Sequence, residues 1–218
     1  MKRIEHMEFK GAIFDLDGTL LDSMHVWNEV DFRFFSSRNI EMPEAYIKTI
    51  SPMGFYNAGV YSKERFNLSE SVEEIIKEWN DIAQKQYASS VKLKDGAREY
   101  LDFLKNQGVK LAVATASDEM LFKPCLINNG IYDYFENITT LDEVNRGKGF
   151  PDVYEKAAVK MGLSNSDCVV FEDIYLGIKG AKDGNFKAVC MFDKTSEMDR
   201  EKIKTICDRY IRSFKEMM

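Results

Sequence analysis

The chain has 218 residues and a formal net charge of −6, so it is long enough for one large domain, or a core with a smaller insert. Its acidic balance and lack of a dense Lys/Arg run argue against nucleic acid or an anionic membrane as the main partner. Four scattered cysteines without a Cys-x-x-Cys pair indicate reduced thiols rather than a zinc site or disulfides. No apolar run has the length of a signal peptide or a membrane span, so we expect a cytoplasmic protein that acts on a small molecule.

The first predicted strand ends in two aspartates. Residues 12–14 form a short apolar run that is followed by Asp15, Asp17 and Gly18, which is typical of a strand buried in a parallel sheet and ending in a polar turn. Ligands bind at that end of the strands in open α/β sheets. Two carboxylates this close repel each other unless a cation neutralises them, so the pair indicates a hard metal such as Mg²⁺. Taken alone, the motif could also be an ordinary surface turn.

Residues 24–90 carry only helical patterns. The first pattern follows Asp22-Ser23, which is a predicted N-cap. Three more helices are predicted, over residues 43–50, 55–66 and about 69–88. Because a simple crossover between parallel strands needs only one helix, we interpret residues 24–90 as an inserted helical cap domain. The segments Asp22-Ser23 and Ser89-Ser90 are its predicted hinges.

From Asp95 onward, predicted helices and strands alternate. Strands are predicted over residues 109–114, 138–141, 168–171 and 188–192, with helices over 97–106, 119–128, 151–162 and up to 183. The C-terminal tail is predicted to hold one or two helices. The alternation indicates an α/β fold, a doubly wound parallel sheet whose core consists of residues 1–23 and 91–218.

Polar side chains follow three of the predicted strands. They are Asp15 and Asp17, Thr115 and Ser117, and Glu172 and Asp173. In a parallel sheet these strand ends lie at one edge, so the carboxylates can share a cation while the hydroxyl and amide groups bind anionic oxygens. Lys148, in a loop before a predicted helix, can supply the positive charge that phosphate requires. Each residue alone could be a helix cap or a solvated lysine, but their joint order favours one site.

These segments resemble the motifs of the haloacid dehalogenase-like hydrolases, in the branch of phosphatases and β-phosphoglucomutases with a helical cap. The four similar segments are residues 15–23, 113–117, 147–154 and 170–178. Two positions depart from the family pattern, which usually has Pro in place of Gly149 and Ser or Ala in place of Ile174. The resemblance covers nearly the whole chain and implies a Rossmann-like core with an inserted all-helical cap.

The resemblance also implies a function. The chain would be a Mg²⁺-dependent phosphatase that hydrolyses a small phosphorylated metabolite, a sugar phosphate or a nucleotide, through an aspartyl-phosphate. Asp15 would be the nucleophile and Asp17 the general acid and base. The metal would be held by Asp15, the backbone carbonyl of Asp17 and Asp173, with Glu172 nearby. The phosphoryl oxygens would be held by Thr115, the amide of Ala116 and Lys148. We expect a monomer or weak homo-oligomer with no nucleic-acid or membrane partner.

A sugar-phosphate mutase is the main alternative, since it would form the same aspartyl-phosphate. The family's mutases carry a His five residues beyond the Asp that ends the first motif, where this chain has Trp27, and an Arg in the cap's substrate loop, where residues 49–54 contain none. His25 lies two positions too early, about 200° away around a helix. A non-catalytic phospho-ligand binder is a further alternative, but it would be expected to lack Asp15 or Asp17.

The cap contains candidate substrate contacts after a Pro break. These residues are Met53, Phe55, Tyr56 and Asn57. The alternative is that the aromatic residues form the cap's own core. His6 and His25 have no ligand-like companions, so we predict no role for either in the site.

Overall fold

The computed structural model describes residues 8–218, so the first seven residues of the predicted core, His6 among them, lie outside the described residues. The strands are β1 (Gly11–Phe14), β2 (Lys110–Thr115), β3 (Asn137–Thr140), β4 (Cys168–Glu172), β5 (Lys187–Met191) and β6 (Arg209–Ile211). The α-helices are α1 (Met24–Ser37), α2 (Tyr46–Ile50), α3 (Phe55–Phe66), α4 (Val72–Ser89), α5 (Ala97–Asn106), α6 (Glu119–Asn128), α7 (Asp152–Lys160), α8 (Tyr175–Asp183) and α9 (Arg200–Ile206). Across this part of the chain, no helix is both long and apolar enough to cross a membrane.

The strands form one parallel sheet in the order β3-β2-β1-β4-β5-β6. β1 lies between β2 and β4, with Phe14 opposite Val113 and Phe171. The carboxyl ends of the three central strands therefore meet at one edge of the sheet. The predicted doubly wound parallel fold is confirmed.

Helices cover both faces of the sheet. On β1, Ala12 and Phe14 belong to a core shared with α5 and α6, while Ile13 belongs to a second core shared with α7 and α8. Because both faces are covered, apolar residues occupy successive positions within the central strands rather than alternate ones. This explains why residues 12–14 form a continuous apolar run.

Helices α1 to α4 occupy the interval between β1 and β2, as the absence of strand patterns predicts. Their core is aromatic. Phe35 packs edge to face against Tyr46 with ring centroids 4.8 Å apart, and Phe34 packs against Trp79 at 5.5 Å. This core is continuous with one face of the sheet. The division of the chain into core and cap domains at residues 23 and 91 stays a prediction.

Three local details differ from the sequence prediction. The helix α4 begins after the N-cap Ser71, which forms a capping box with Glu74, rather than at about residue 69. Ser23 stands at the N-cap position of α1 as predicted, but its hydroxyl makes no capping hydrogen bond to this helix and donates to Asp17 Oδ1 at 2.6 Å instead. The tail holds a predicted helix, α9, and also forms the edge strand β6, which the sequence does not indicate because Arg209–Ile211 is only three residues long.

Candidate active site

The turn after β1 places Asp15 beside the end of β4. The amide of Asp15 donates to the carbonyl of Phe171 at 2.9 Å. Gly18 has a φ of +82°, and a Cβ there would lie 2.4 Å from Asp173 Oδ2, so only glycine fits. The hydroxyl of Thr19 donates to Asp15 Oδ2 at 3.1 Å and lies 3.3 Å from Asp173 Oδ1. The turn therefore holds two of the predicted carboxylates together.

Asp15, Glu172 and Asp173 form a buried acidic cluster, with one carboxylate oxygen of each within 4.8 Å of the others. Lys148 is also buried and ion-pairs with both Asp15 and Glu172, at 2.5 Å from Glu172 Oε1. Three carboxylates and one ammonium leave two negative charges uncompensated when all four groups are ionised. A compact, oxygen-lined site with this charge fits a hard divalent cation such as Mg²⁺.

The pKa shifts of these groups reflect their burial first and the neighbouring negative charges second. Burial and the charge of Glu172 raise the pKa of Asp15 to about 7, although Lys148 acts in the opposite direction. Burial, followed by the charges of Glu172 and Asp15, raises the pKa of Asp173 well above its usual value. Burial alone would lower the pKa of Lys148, but the attraction of Asp15 and Glu172 outweighs it and the pKa is raised. Lys148 therefore stays a cation at neutral pH.

Glu172 is fixed from behind the cluster. Its Oε1 accepts a hydrogen bond from the Tyr154 hydroxyl at 2.9 Å, and its Oε2 accepts one from the amide of Asp173 at 3.1 Å. Gly177 makes room for it, because a Cβ there would lie 2.3 Å from the carboxyl carbon of Glu172. Sequence reasoning missed the role of Tyr154, although its place in the segment 147–154 was a usable signal.

The side chain of Asp17 lies outside the acidic cluster and contacts the cap interval instead. Its Oδ1 accepts hydrogen bonds from the hydroxyls of Ser23, at 2.6 Å, and of Tyr87. Tyr87 is buried on α4. In the described part of the chain no donor reaches Oδ2, so that oxygen is left available at the cavity. Sequence reasoning missed Tyr87, which follows Asp17 by 70 residues and carries no motif.

The end of β2 lines the other side of the site. Thr115 is buried and its Oγ1 accepts a hydrogen bond from the amide of Ser117 at 3.0 Å. The Ser117 hydroxyl is buried with no partner among residues 8–218. Across from it, the amide of Lys148 donates to the carbonyl of Pro52 at 3.1 Å. Gly149, the departure from the family pattern, therefore does not prevent Lys148 from reaching the cluster.

One cavity of about 800 Å³ opens over this edge of the sheet. Its core side includes all but one of the predicted site residues, namely Asp15, Asp17, Thr115, Ala116, Lys148 and Asp173. Glu172 lies fully buried behind them. The cap side is mainly apolar and includes Trp27, Val30, Ile47, Met53, Phe55 and Trp79. The cavity therefore has a charged end and an apolar end.

Of the four candidate substrate contacts in the cap, two line the cavity and two lie at the protein surface. Met53 and Phe55 line the cavity, and Phe55 also packs against Trp27 with ring centroids 5.5 Å apart. Tyr56 and Asn57 are exposed and do not line it. His25 is exposed and also lies away from the cavity lining.

Comparisons with known proteins agree with this arrangement. A family model described as haloacid dehalogenase-like hydrolase matches residues 12–191. YhcW of Bacillus subtilis (strain 168) is 30% identical over 188 residues, which span 86% of this chain and 85% of that protein. A phosphorylated carbohydrates phosphatase of Thermotoga maritima is 25% identical over 180 residues, 83% of each chain. The crystal structure of CbbY from Rhodobacter sphaeroides in complex with phosphate superposes with a TM-score of 0.83 over 96% of both chains, at 20% identity.

Proposed function

This chain belongs to the haloacid dehalogenase-like hydrolases, and we propose that it is a Mg²⁺-dependent phosphatase that hydrolyses a small phosphorylated metabolite through an aspartyl-phosphate on Asp15. The observation that carries the proposal is the buried cluster of three carboxylates around Lys148 at the floor of a cavity. The similarity to a phosphorylated carbohydrates phosphatase supports a sugar phosphate as the substrate class.

The proposed first step is attack of a carboxylate oxygen of Asp15 on phosphorus, which breaks the bond to the substrate's ester oxygen. Asp17 delivers a proton to that leaving oxygen through its free Oδ2. In the second step Asp17 takes a proton from a water molecule, whose oxygen attacks phosphorus and releases phosphate and the Asp15 carboxylate. The two bonds to Asp17 Oδ1 support this role because they orient the carboxyl without occupying Oδ2.

Lys148 and the end of β2 are proposed to bind the phosphoryl oxygens. Lys148 supplies a fixed positive charge in a buried site, where electrostatic stabilisation is strong. The Thr115 side chain, the Ala116 amide and the unpartnered Ser117 hydroxyl supply hydrogen bonds. When bound by Asp15, Asp173 and the Asp17 carbonyl, Mg²⁺ would shield the nucleophile from the negative charge of the phosphate.

A phosphatase is proposed rather than a sugar-phosphate mutase because a mutase must hold a second phosphate. Among the described cap residues that line the cavity, Lys48 is the one cation, and its ammonium lies 2.6 Å from Asp199 Oδ2. Lys63, another lysine of the cap, does not line the cavity and donates to the backbone carbonyls of Leu68 and Glu70. Among the described residues, the cap side of the cavity therefore offers a bisphosphate no cation that lacks a carboxylate partner.

The proposal is tested by measuring phosphate release from a panel of sugar, polyol and nucleotide phosphates with Mg²⁺ present. We expect turnover of at least one sugar phosphate by the wild type and none by Asp15→Asn. The same assay includes glucose 1-phosphate with a bisphosphate activator, and we expect no conversion to glucose 6-phosphate. Efficient isomerisation would identify a mutase, and no release from any substrate would refute the phosphatase.

Two finer expectations remain proposals. All four cysteines are free thiols, as the sequence predicts, which suits the reducing cytoplasm proposed as the site of action. We also propose that the enzyme acts as a monomer or weak homo-oligomer without nucleic-acid or membrane partners.

A further inference from the structure

Asp31 is a buried carboxylate that the proposed chemistry does not use. It lies on α1, one turn after Trp27, and lines the cavity with 6% of its surface exposed. Among residues 8–218, no group donates a hydrogen bond to its carboxyl or forms an ion pair with it. The hydroxyl of Tyr46, also buried in this region, is instead paired with Ser62 Oγ at 2.8 Å. Within the described part of the chain, Asp31 is therefore a polar group without a partner that lines the cavity.

The cavity lining near Asp31 is mainly apolar. The rings of Trp27 and Trp79 both pack against Phe55, with centroids 5.5 and 6.2 Å from the centroid of Phe55. Among the described cap residues that line the cavity, Asp31 is the one buried charged side chain, since Glu44 and Lys48 are exposed at the rim. The apolar end of the cavity thus has one buried charged side chain, together with the indole Nε1 of Trp79, which is buried without a hydrogen-bond partner among residues 8–218.

An unpartnered carboxyl at such a place reduces the stability of the fold. Burial raises the pKa of Asp31 to about 7, which reflects the lack of compensating partners. Burying a polar group without a hydrogen bond costs free energy that a well-packed apolar residue would not. A ligand that pairs with Asp31 would offset this cost, and Asp31 and Asp15 line the same cavity.

We propose that Asp31 binds a hydroxyl group on the leaving alcohol of the substrate, so that the enzyme selects sugar or polyol phosphates over apolar phosphomonoesters. This inference rests on the proposed phosphatase function. A carbohydrate-like leaving group offers hydroxyls to Asp31 and C–H faces to the aromatic rings of Trp27 and Phe55. An ammonium group is the rival ligand, and an amino ester in the test below distinguishes it from a hydroxyl group.

The test compares kcat/KM for three phosphomonoesters with the same six-carbon chain: glucitol 6-phosphate, hexyl phosphate and 6-aminohexyl phosphate. The variants are Asp31→Leu, Asp31→Asn and the control Glu29→Leu, which removes an acid of α1 that does not line the cavity. We expect Asp31→Leu to lower the preference for glucitol 6-phosphate over hexyl phosphate by about 10- to 100-fold, which corresponds to the loss of one hydrogen bond to a charged acceptor. Asp31→Asn retains a hydrogen-bonding side chain and should lower this preference by less than about 5-fold.

Thermal unfolding separates recognition from a structural role. Because Leu removes a buried, unpartnered carboxyl, we expect Asp31→Leu to raise Tm by about 2–4 °C, whereas a structural role predicts a lower Tm. Equal losses on glucitol 6-phosphate and hexyl phosphate would overturn the inference while leaving the phosphatase intact. A preference for 6-aminohexyl phosphate that Asp31→Asn abolishes would assign an ammonium ligand instead. If the wild type hydrolyses neither these esters nor p-nitrophenyl phosphate, the proposed function fails and the inference fails with it.

Discussion

Replacing Tyr87 by Phe tests whether the cap interval positions the proposed general acid. The change removes one of the two hydroxyls that bind Asp17 Oδ1 and leaves the ring packing against Trp27, whose centroid is 5.8 Å away. A hydrogen bond to a charged acceptor contributes about 1.5–3 kcal/mol. Because Ser23 still holds Oδ1 at 2.6 Å, we expect a partial loss of about 1–2 kcal/mol in the transition state, or about 5- to 30-fold in kcat.

The assay compares a sugar phosphate with p-nitrophenyl phosphate. Protonation of the leaving oxygen matters most for a poor leaving group, so the loss in Tyr87→Phe should be larger on the sugar phosphate. Tyr100→Phe is the matched control, because Tyr100 is an equally buried tyrosine on α5, away from the cavity lining. Equal losses on both substrates, or the same loss in Tyr100→Phe, would refute the positioning role of Tyr87.

Three further predictions concern the charged groups. Asp15→Asn should abolish turnover while Tm stays equal or rises, because it removes one of three crowded carboxylates; substantial activity in the pure variant would rule out the nucleophile assignment. EDTA should stop turnover and added Mg²⁺ should restore it, measured as phosphate release, whereas full activity in excess EDTA would contradict the metal assignment. The pKa of Asp31 is raised from 3.8 to about 7 on folding, so the folded state binds more protons between these values. The free energy of unfolding of the wild type, relative to that of Asp31→Asn, should therefore fall as pH rises from about 4 to about 7. Denaturant titration at each pH measures it, and a difference between the two proteins that does not change with pH would refute the raised pKa.

The sequence was sufficient for the fold because its strongest signals are local. Residues 12–14 are apolar without interruption since helices cover both faces of the sheet, and this pattern distinguishes a central parallel strand. The helix α6 begins and ends at Glu119 and Asn128, as predicted. The strand β6 was not predicted because three residues at the edge of a sheet are too few to show a periodic pattern of apolar residues.

For the candidate site, the residues that follow strand ends could be predicted and their partners could not. Parallel topology brings Asp15 and Asp173 to one edge, so their proximity follows from strand order alone. Tyr87 reaches Asp17 from a helix far along the chain, and this contact depends on how α4 packs. Asp31 looks like a solvent-facing residue of an amphipathic helix, and only the cavity beside it reveals that it is buried.

The most direct test of the account is to trap the phosphorylated enzyme. The wild type is mixed with a substrate that the phosphate-release assay has identified, and the reaction is quenched in acid during turnover. Borohydride then reduces the acyl phosphate, and peptide mass spectrometry locates the modified residue. We predict modification at Asp15 in the wild type and no modification of this peptide in Asp15→Asn. Phosphate release at full rate without any modification at Asp15, or modification at a different carboxylate, would contradict the proposed mechanism.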